Sequence, residues 1–271
     1  MVLHMPFAVF FDMLGSTRIL SDLSDTFDFQ PGTDCAENSE VATYRRYEQA
    51  RHSFHGIRFP EFPESGLMFA AAFSDCKFLV YSTPATACYA AAHGMSGFYS
   101  TEIPVRAGIG YGNFRFDRSA QVIGVGGVIT ECSFYGSSVA RAYAAERCGL
   151  KGFRVFVHSS AADALEAVHP GLRGYLEIDW DTFEEGQDRG PYCGALLDLP
   201  PKDMRADVRH ELSFLHDHPV EEFQRGVERI RLRFPPSDSA AVHYDATLQA
   251  LRRMEEARPH SRRMPKKYLV P

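Results

Sequence analysis

Apolar residues in this chain fall into short dense runs separated by segments with an apolar face, and the two patterns alternate up to about residue 200. Ala8 to Met13 (AVFFDM) is a compact apolar run with one aspartate near its end, which predicts a buried strand. LGSTRIL follows, with Gly15 for a tight turn and Ser16 or Thr17 able to cap a helix. Residues 22–39 are acidic and contain Pro31, Gly32 and Asn38, which reads as a loop, and 40–54 is helical in composition. Leu67–Phe73 and Cys76–Tyr81 predict two strands joined by a tight turn at Ser74–Asp75. Thr83-Pro84 opens a helix whose apolar face carries Ala87, Ala91 and Met95.

Val105–Tyr111 (VRAGIGY) predicts another strand, and 121–129 is a glycine-rich apolar segment. Gly136 leads into a helix, SSVARAYAAERC, with Gly149 as its stop signal. Phe153–His158 predicts a strand, and Ser159 caps a helix carrying Ala164, Leu165 and Val168. Tyr175–Ile178 and Ala195–Leu199 are further strand candidates. From Lys202 the pattern becomes helical, broken at Pro235-Pro236. Mixed strands and helices followed by helices alone predict an α+β fold. Residues 1–200 form the main domain in this reading, and 201–271 a helical extension, either a small second unit or a dimer-supporting arm.

Composition narrows the class. A chain of 271 residues with 45% hydrophobic content can bury a sizeable core. A net charge of −6 is unlike the basic face of a nucleic-acid binder, so no nucleic-acid partner is expected. The basic tail from Arg252 to Lys267 reads as a solvated terminus. The six cysteines form no CxxC pair, and no histidines stand at zinc spacing. No leader pattern opens the sequence and no run of about eighteen apolar residues occurs. A reduced, cytoplasmic protein without a membrane partner is expected.

The candidate chemistry begins with Asp12. An ionised carboxylate closing an apolar strand needs a partner, and a divalent cation is one. Asp75, at the tip of the expected hairpin, is a second such residue. Two carboxylates from adjacent strands can hold two metal ions about 4 Å apart, the arrangement that serves in-line phosphoryl displacement. Taken singly, each is equally an ordinary strand-end or turn aspartate. Leu14, Gly15, Ser16 and Thr17 offer free backbone N–H groups at a helix start, either a phosphate cradle or a plain cap. The GxxxxGK[ST] pattern of a P-loop is absent.

FFDMLGST, FSD, VRAGIGYG and YGSSVARAYAAE occur in this order, and the resemblance they carry extends over residues 7 to about 200. Together they resemble the class III nucleotidyl cyclases. The resemblance implies a cyclase domain, a central palm-like mixed sheet with flanking helices. It implies that Asp12, the Met13 carbonyl and Asp75 bind two Mg²⁺ or Mn²⁺ per active site, and that Leu14 to Thr17 hold the triphosphate. It further implies a head-to-tail homodimer with composite sites at the interface.

The departures point further. Ala71 stands where adenylate cyclases carry a lysine, and Ser133 where they carry the second base-reading residue. The glutamate–cysteine pair that reads guanine is absent too. The family's asparagine aligns with Ala140 and its transition-state arginine with Ala144, whereas Arg141 sits one residue from the asparagine position. Arg141 is either a replacement group for the leaving pyrophosphate or a surface arginine. Gly136 and Val139 to Tyr143 are similar to a block of the pyrimidine cyclases of bacterial Pycsar anti-phage systems. That branch implies UTP, or else CTP, as substrate and a cyclic pyrimidine monophosphate read by a separate downstream effector. The other readings are a purine cyclase with atypical base contacts and an inactive cyclase-like nucleotide-binding module.

Overall fold

The computed structural model describes residues 5–15, 39–57, 66–123, 127–168, 208–211, 220–234 and 238–256. Its architecture follows from the alternation in the first apolar run. In β1 (Phe7–Met13), Phe7, Val9, Phe11 and Met13 join the main apolar cluster, while Ala8 and Phe10 join a smaller cluster on the opposite face. A strand buried on both faces belongs in the middle of a sheet. Accordingly β3 (Cys76–Tyr81) and β4 (Val105–Tyr111) flank β1, both antiparallel to it.

β2 (Leu67–Phe73) pairs antiparallel with β3. On the other side β7 (Val155–His158) runs parallel to β4, and β8 (Val208–Glu211) antiparallel to β7. The result is a mixed sheet of six strands in the order β2-β3-β1-β4-β7-β8. The fold class is α+β, with helices on both faces of this sheet. Of the expected glycine-rich segment 121–129, residues 121–123 and 127–129 belong to a separate two-stranded ribbon, β5 (Arg115–Ile123) and β6 (Gly127–Tyr135), and the rest lies outside the described residues. The ribbon escaped the strand reading because charged and polar residues such as Arg115, Asp117, Arg118 and Glu131 leave no sustained apolar alternation.

One face of the sheet is covered by α1 (Ser39–Gly56), α2 (Pro84–Ser100), α4 (Ser159–Val168), α5 (Val220–Arg233) and α6 (Asp238–Glu256). They bring Phe54, Met95, Phe98, Leu165, Ile230 and Leu251 into the main cluster. Thr83 caps α2 as expected, accepting from the Thr86 N–H at 3.4 Å, and Pro84 fills the first turn. The other face is covered by α3 (Ser137–Glu146), which lies directly on β4. Gly108 and Gly110 of β4 permit this: a Cβ at either would collide with the main chain of α3 at Ala142, and at Gly110 also with Ser138.

The helices expected after residue 202 are preceded by the short strand β8, which the sequence pattern did not signal. α5 and α6 lie on either side of Pro235-Pro236. Phe153 N–H donates to Thr247 Oγ1 at 2.8 Å, and the Tyr99 and Phe223 rings meet edge to face at 5.4 Å. The strand candidates 175–178 and 195–199 lie outside the described residues. Among the described residues no helix is long and apolar enough to cross a membrane.

Candidate active site

Asp12 continues the row of Ala8 and Phe10, so its side chain is on the α3 face of the sheet. Its directly opposite residues are Cys76 on β3 and Arg106 on β4. Opposite residues of antiparallel strands share a face, so Cys76, Asp12 and Arg106 form a polar row across three strands. The preceding row, Phe78, Phe10 and Gly108, is apolar. The change from one row to the next marks the edge of the packed interior.

Arg106 is buried and paired. Its Nε lies 3.3 Å from Glu146 Oε1, and its Nη2 donates to the Glu146 carbonyl at the end of α3. Its guanidinium also lies over the Phe156 ring at 5.1 Å. Burial pushes the Glu146 carboxyl up, and Arg106 and Arg147 oppose this. Glu146 in turn acts on Asp12. Burial first, then the nearby Glu146 and Asp75 charges, push Asp12 up to about 7, against the hydrogen bond from Cys76 and the charge of Arg147. The Arg147 guanidinium stacks over Tyr143 at 4.8 Å and lies 3.8 Å from Glu146 Oε2.

Asp75 sits at the tip of the β2–β3 hairpin, after Ser74 in the left-handed region at φ 48°. Its carbonyl accepts from the Met13 N–H at 2.9 Å, which ties the tip to the end of β1. The Cys76 thiol bridges the two carboxylates, 3.2 Å from Asp12 Oδ1 and 3.5 Å from Asp75 Oδ1. One donor atom from each of Asp12, Asp75 and Cys76 falls within 4.8 Å of the others. Burial and the two carboxylates push the Cys76 thiol far above its ordinary range. A buried carboxylate that is costly to ionise, beside a second one, suits a divalent cation, whose charge reverses that cost.

The hairpin tip is clamped by α1. Lys77 Nζ donates to the carbonyls of Phe54, His55 and Ile57 at 2.6, 3.1 and 3.3 Å. These lie at the helix C-terminus, where carbonyls lack intrahelical partners and a cation is favoured. His55 Nε2 donates to the Ser74 carbonyl at 2.7 Å. Lys77 reads in the sequence as a surface lysine or a phosphate contact. It is 5% exposed, because the β3 alternation turns it to the helix-covered face with Leu79 and Tyr81. Burial brings it down to about 8.

The remaining candidates are spread out. Leu14 is half-buried, and its N–H donates to the Pro104 carbonyl at 2.8 Å. Gly15 is exposed at φ 84°. Ser16 and Thr17 lie outside the described residues. Arg141 Nη1 donates to the Tyr111 carbonyl at 2.8 Å. Tyr111 is opposite Phe7, five residues from Asp12 along β1, or about 17 Å at strand rise. Ala71 is opposite Phe78, one row behind the polar row and on the same face. Phe134 of β6 packs over that row, with ring distances of 5.2 Å to Phe78 and 6.3 Å to Phe73. Ser133 points to the opposite face of the ribbon, exposed, paired across strands with Asp117. Ala71 and Ser133 are thus separated by the β6 backbone within one chain. Of the aromatic residues that could wall a small base pocket, Tyr47 is buried in the main cluster, Tyr44 is half-buried, and Phe73 is 48% exposed.

Cys76 and Glu146 were not picked out as site residues from sequence. The signal for Cys76 was present in the hairpin register, which puts the residue after the turn aspartate opposite Asp12. Glu146 carries no local motif, and its proximity comes from the close seating of α3 on β4.

No family model matches the chain and no curated protein matches it. Among solved structures it is similar to the guanylyl cyclase Cya2, at 13% identity and a TM-score of 0.45 over 76% of this chain and 91% of that one. It is similar to the guanylyl cyclase domain of the RhoGC fusion protein from the aquatic fungus Blastocladiella emersonii, at 16% identity and a TM-score of 0.36 over 60% and 84%. An adenylate cyclase from Trypanosoma brucei in its monomeric state matches at 12% identity and a TM-score of 0.41 over 80% and 91%.

Proposed function

We propose that this chain is a class III nucleotidyl cyclase that closes a nucleoside triphosphate into its 3′,5′-cyclic monophosphate and releases pyrophosphate. The observation that carries this reading is the convergence of Asp12 and Asp75, from a strand end and the neighbouring hairpin tip, on one cation-sized space. Asp12, the Met13 carbonyl and Asp75 would hold two Mg²⁺ or Mn²⁺. When bound, these ions supply charge for the ribose 3′-hydroxyl and for the leaving pyrophosphate. The chain's own part is to place acceptors and exclude water. Arg106 and Glu146 close the floor behind Asp12 and α1 holds the Asp75 hairpin; of the segment Leu14 to Thr17, expected to hold the triphosphate, the Leu14 N–H is given to the Pro104 carbonyl, so Gly15, Ser16 and Thr17 would supply the N–H groups.

The substrate favoured is UTP, with CTP next. Ala71 and Ser133 leave out the lysine and the aspartate with which the family reads adenine. The product would then be a cyclic pyrimidine messenger in anti-phage defence, read by a separate effector. A homodimer is part of this reading. Arg141 and Ser133 lie away from the Asp12 end of their own chain, and a head-to-tail second copy would bring them to it. Residues 201–271 would support that dimer.

One observation favours a second reading, a nucleotide-binding module without turnover. α3 carries Ala140 and Ala144 where the family has its asparagine and arginine, and Arg141 is engaged by the Tyr111 carbonyl. The test is to incubate the chain with ATP, GTP, CTP and UTP and Mn²⁺ and to identify products by chromatography and mass. Cyclic UMP is expected, and folded Asp75→Ala is expected to lose at least about a hundredfold in turnover, as for removal of a major electrostatic group. A cyclic purine would overturn the base assignment. Metal-dependent nucleotide binding with no product would establish the second reading.

A further inference from the structure

Among the described residues, the cationic side chains around the polar row are not equally committed. Arg106 is buried, paired with Glu146 and laid over Phe156. Lys77 is buried and given to three carbonyls of α1. Arg147, just past the end of α3, is exposed, and its guanidinium makes no hydrogen bond to a described residue. It meets the Tyr143 ring at 4.8 Å and Glu146 Oε2 at 3.8 Å, the latter beyond hydrogen-bond reach.

Two routes place that guanidinium at the Asp12 end of its own chain. Tyr143, beneath it, meets the Phe10 ring at 5.4 Å, and Phe10 precedes Asp12 on the same face of β1 by two residues, about 7 Å at strand rise. Glu146, beside it, holds Arg106, the residue directly opposite Asp12. The charge of Arg147 is felt by the Asp12 carboxyl, which it pulls down against burial. Arg141, six residues earlier, is instead engaged at the far end of α3 by the Tyr111 carbonyl.

We infer that Arg147 is the chain's own phosphate contact, donating to the oxygens of a polyphosphate held by a cation at Asp12 and Asp75 of the same chain. The inference rests on the reading that these aspartates hold a cation. A positive charge beside a cation site repels the ion, and becomes favourable there once an anion joins the site. The planar guanidinium presents paired N–H groups that match phosphate oxygens. Its present tether is weak, since an exposed arginine at 3.8 Å from a carboxylate gains little. Its root is firm: the Arg147 N–H donates to the Tyr143 carbonyl at 3.1 Å, on a helix seated against the main chain of β4. The competing use of an arginine at a helix C-terminus is to balance the helix dipole.

The test titrates the full chain with inorganic tripolyphosphate at saturating Mn²⁺ in a calorimeter. Arg147→Met and Arg147→Gln should weaken binding by roughly tenfold to a hundredfold, the loss of one hydrogen-bonded charge. Mn²⁺ alone, followed by paramagnetic resonance, should bind these variants no more weakly, because a repelling charge is gone. A role in the fold alone would weaken both or neither, and either result overturns the inference. Arg225→Met, which removes an exposed arginine of α5, should change neither. Tripolyphosphate binding that survives Asp12→Asn would place the anion elsewhere and also overturn it. Turnover regained on mixing Asp12→Asn and Arg147→Met chains would put the contact between subunits and overturn the own-chain assignment. Nucleotide cyclisation undiminished in Arg147→Met keeps the cyclase reading and removes this one. Arg147-dependent tripolyphosphate binding in a chain that cyclises no nucleotide does the reverse.

Discussion

At the scale of single residues, Asp12 is the most informative position. Its carboxyl is pushed up to about 7 by burial and by Glu146 and Asp75, well above the unfolded value near 3.9. The folded chain therefore holds a proton that the unfolded chain releases between these two values. Without metal, the contribution of Asp12 to stability is fully present at low pH and is lost as pH rises through about 7. A divalent cation competes with that proton. Mn²⁺ should raise the thermal midpoint little at pH 5.5 and clearly at pH 8, which a melt series at fixed Mn²⁺ would read. Asp12→Asn should remove the pH dependence of the Mn²⁺ effect. Sequence alone marked Asp12 because an aspartate closed an apolar strand. It did not mark Glu146, whose influence comes from a helix laid over a different strand.

At the scale of elements, the hairpin that carries Asp75 is held by α1 as much as by its own ladder. Lys77 binds three carbonyls at the C-terminus of α1, and His55 binds Ser74 in return. Lys77→Met keeps the volume of the stem but leaves those carbonyls unsatisfied. It should raise the Mn²⁺ concentration needed for half-maximal binding by about tenfold, a positioning effect, and should lower stability by roughly 1–3 kcal/mol. Manganese binding followed by paramagnetic resonance and a urea titration read the two separately. The strand–turn–strand pattern and the turn aspartate were legible because alternation and turn residues are local. The buried role of Lys77 was not, since it depends on which face of β3 receives a distant helix. The β5–β6 ribbon and β8 were missed for related reasons: in the first, charged and polar residues such as Arg115, Asp117, Arg118 and Glu131 leave no sustained alternation, and four residues are too few to show one in the second.

At the scale of the whole molecule, α5 and α6 share the core with the sheet. Val220, Phe223, Val227, Ile230, Tyr244 and Leu251 lie in the same apolar cluster as Phe11, Phe98 and Val155. A chain ending at residue 200 would expose that surface and lose the partners of Tyr99 and Phe153. Each large buried side chain left uncovered costs about 1.5–3 kcal/mol, against a total stability of about 5–15 kcal/mol. The truncated chain should therefore fail to give a cooperative thermal transition, as followed by circular dichroism. A cooperative melt close to that of the full chain would show instead that the first 200 residues fold independently.

The seating of α3 on Gly108 and Gly110 has a mechanical consequence. Main chain rests on main chain there, so the gap between helix and sheet is set by backbone atoms rather than by side chains that can change rotamer. α3 and β4 behave as one girder, and Glu146 at its end is fixed over Asp12 to the tolerance of that joint. A single methyl group at either glycine would act as a shim, lifting the girder and detuning the charge environment of a carboxylate that the methyl never touches.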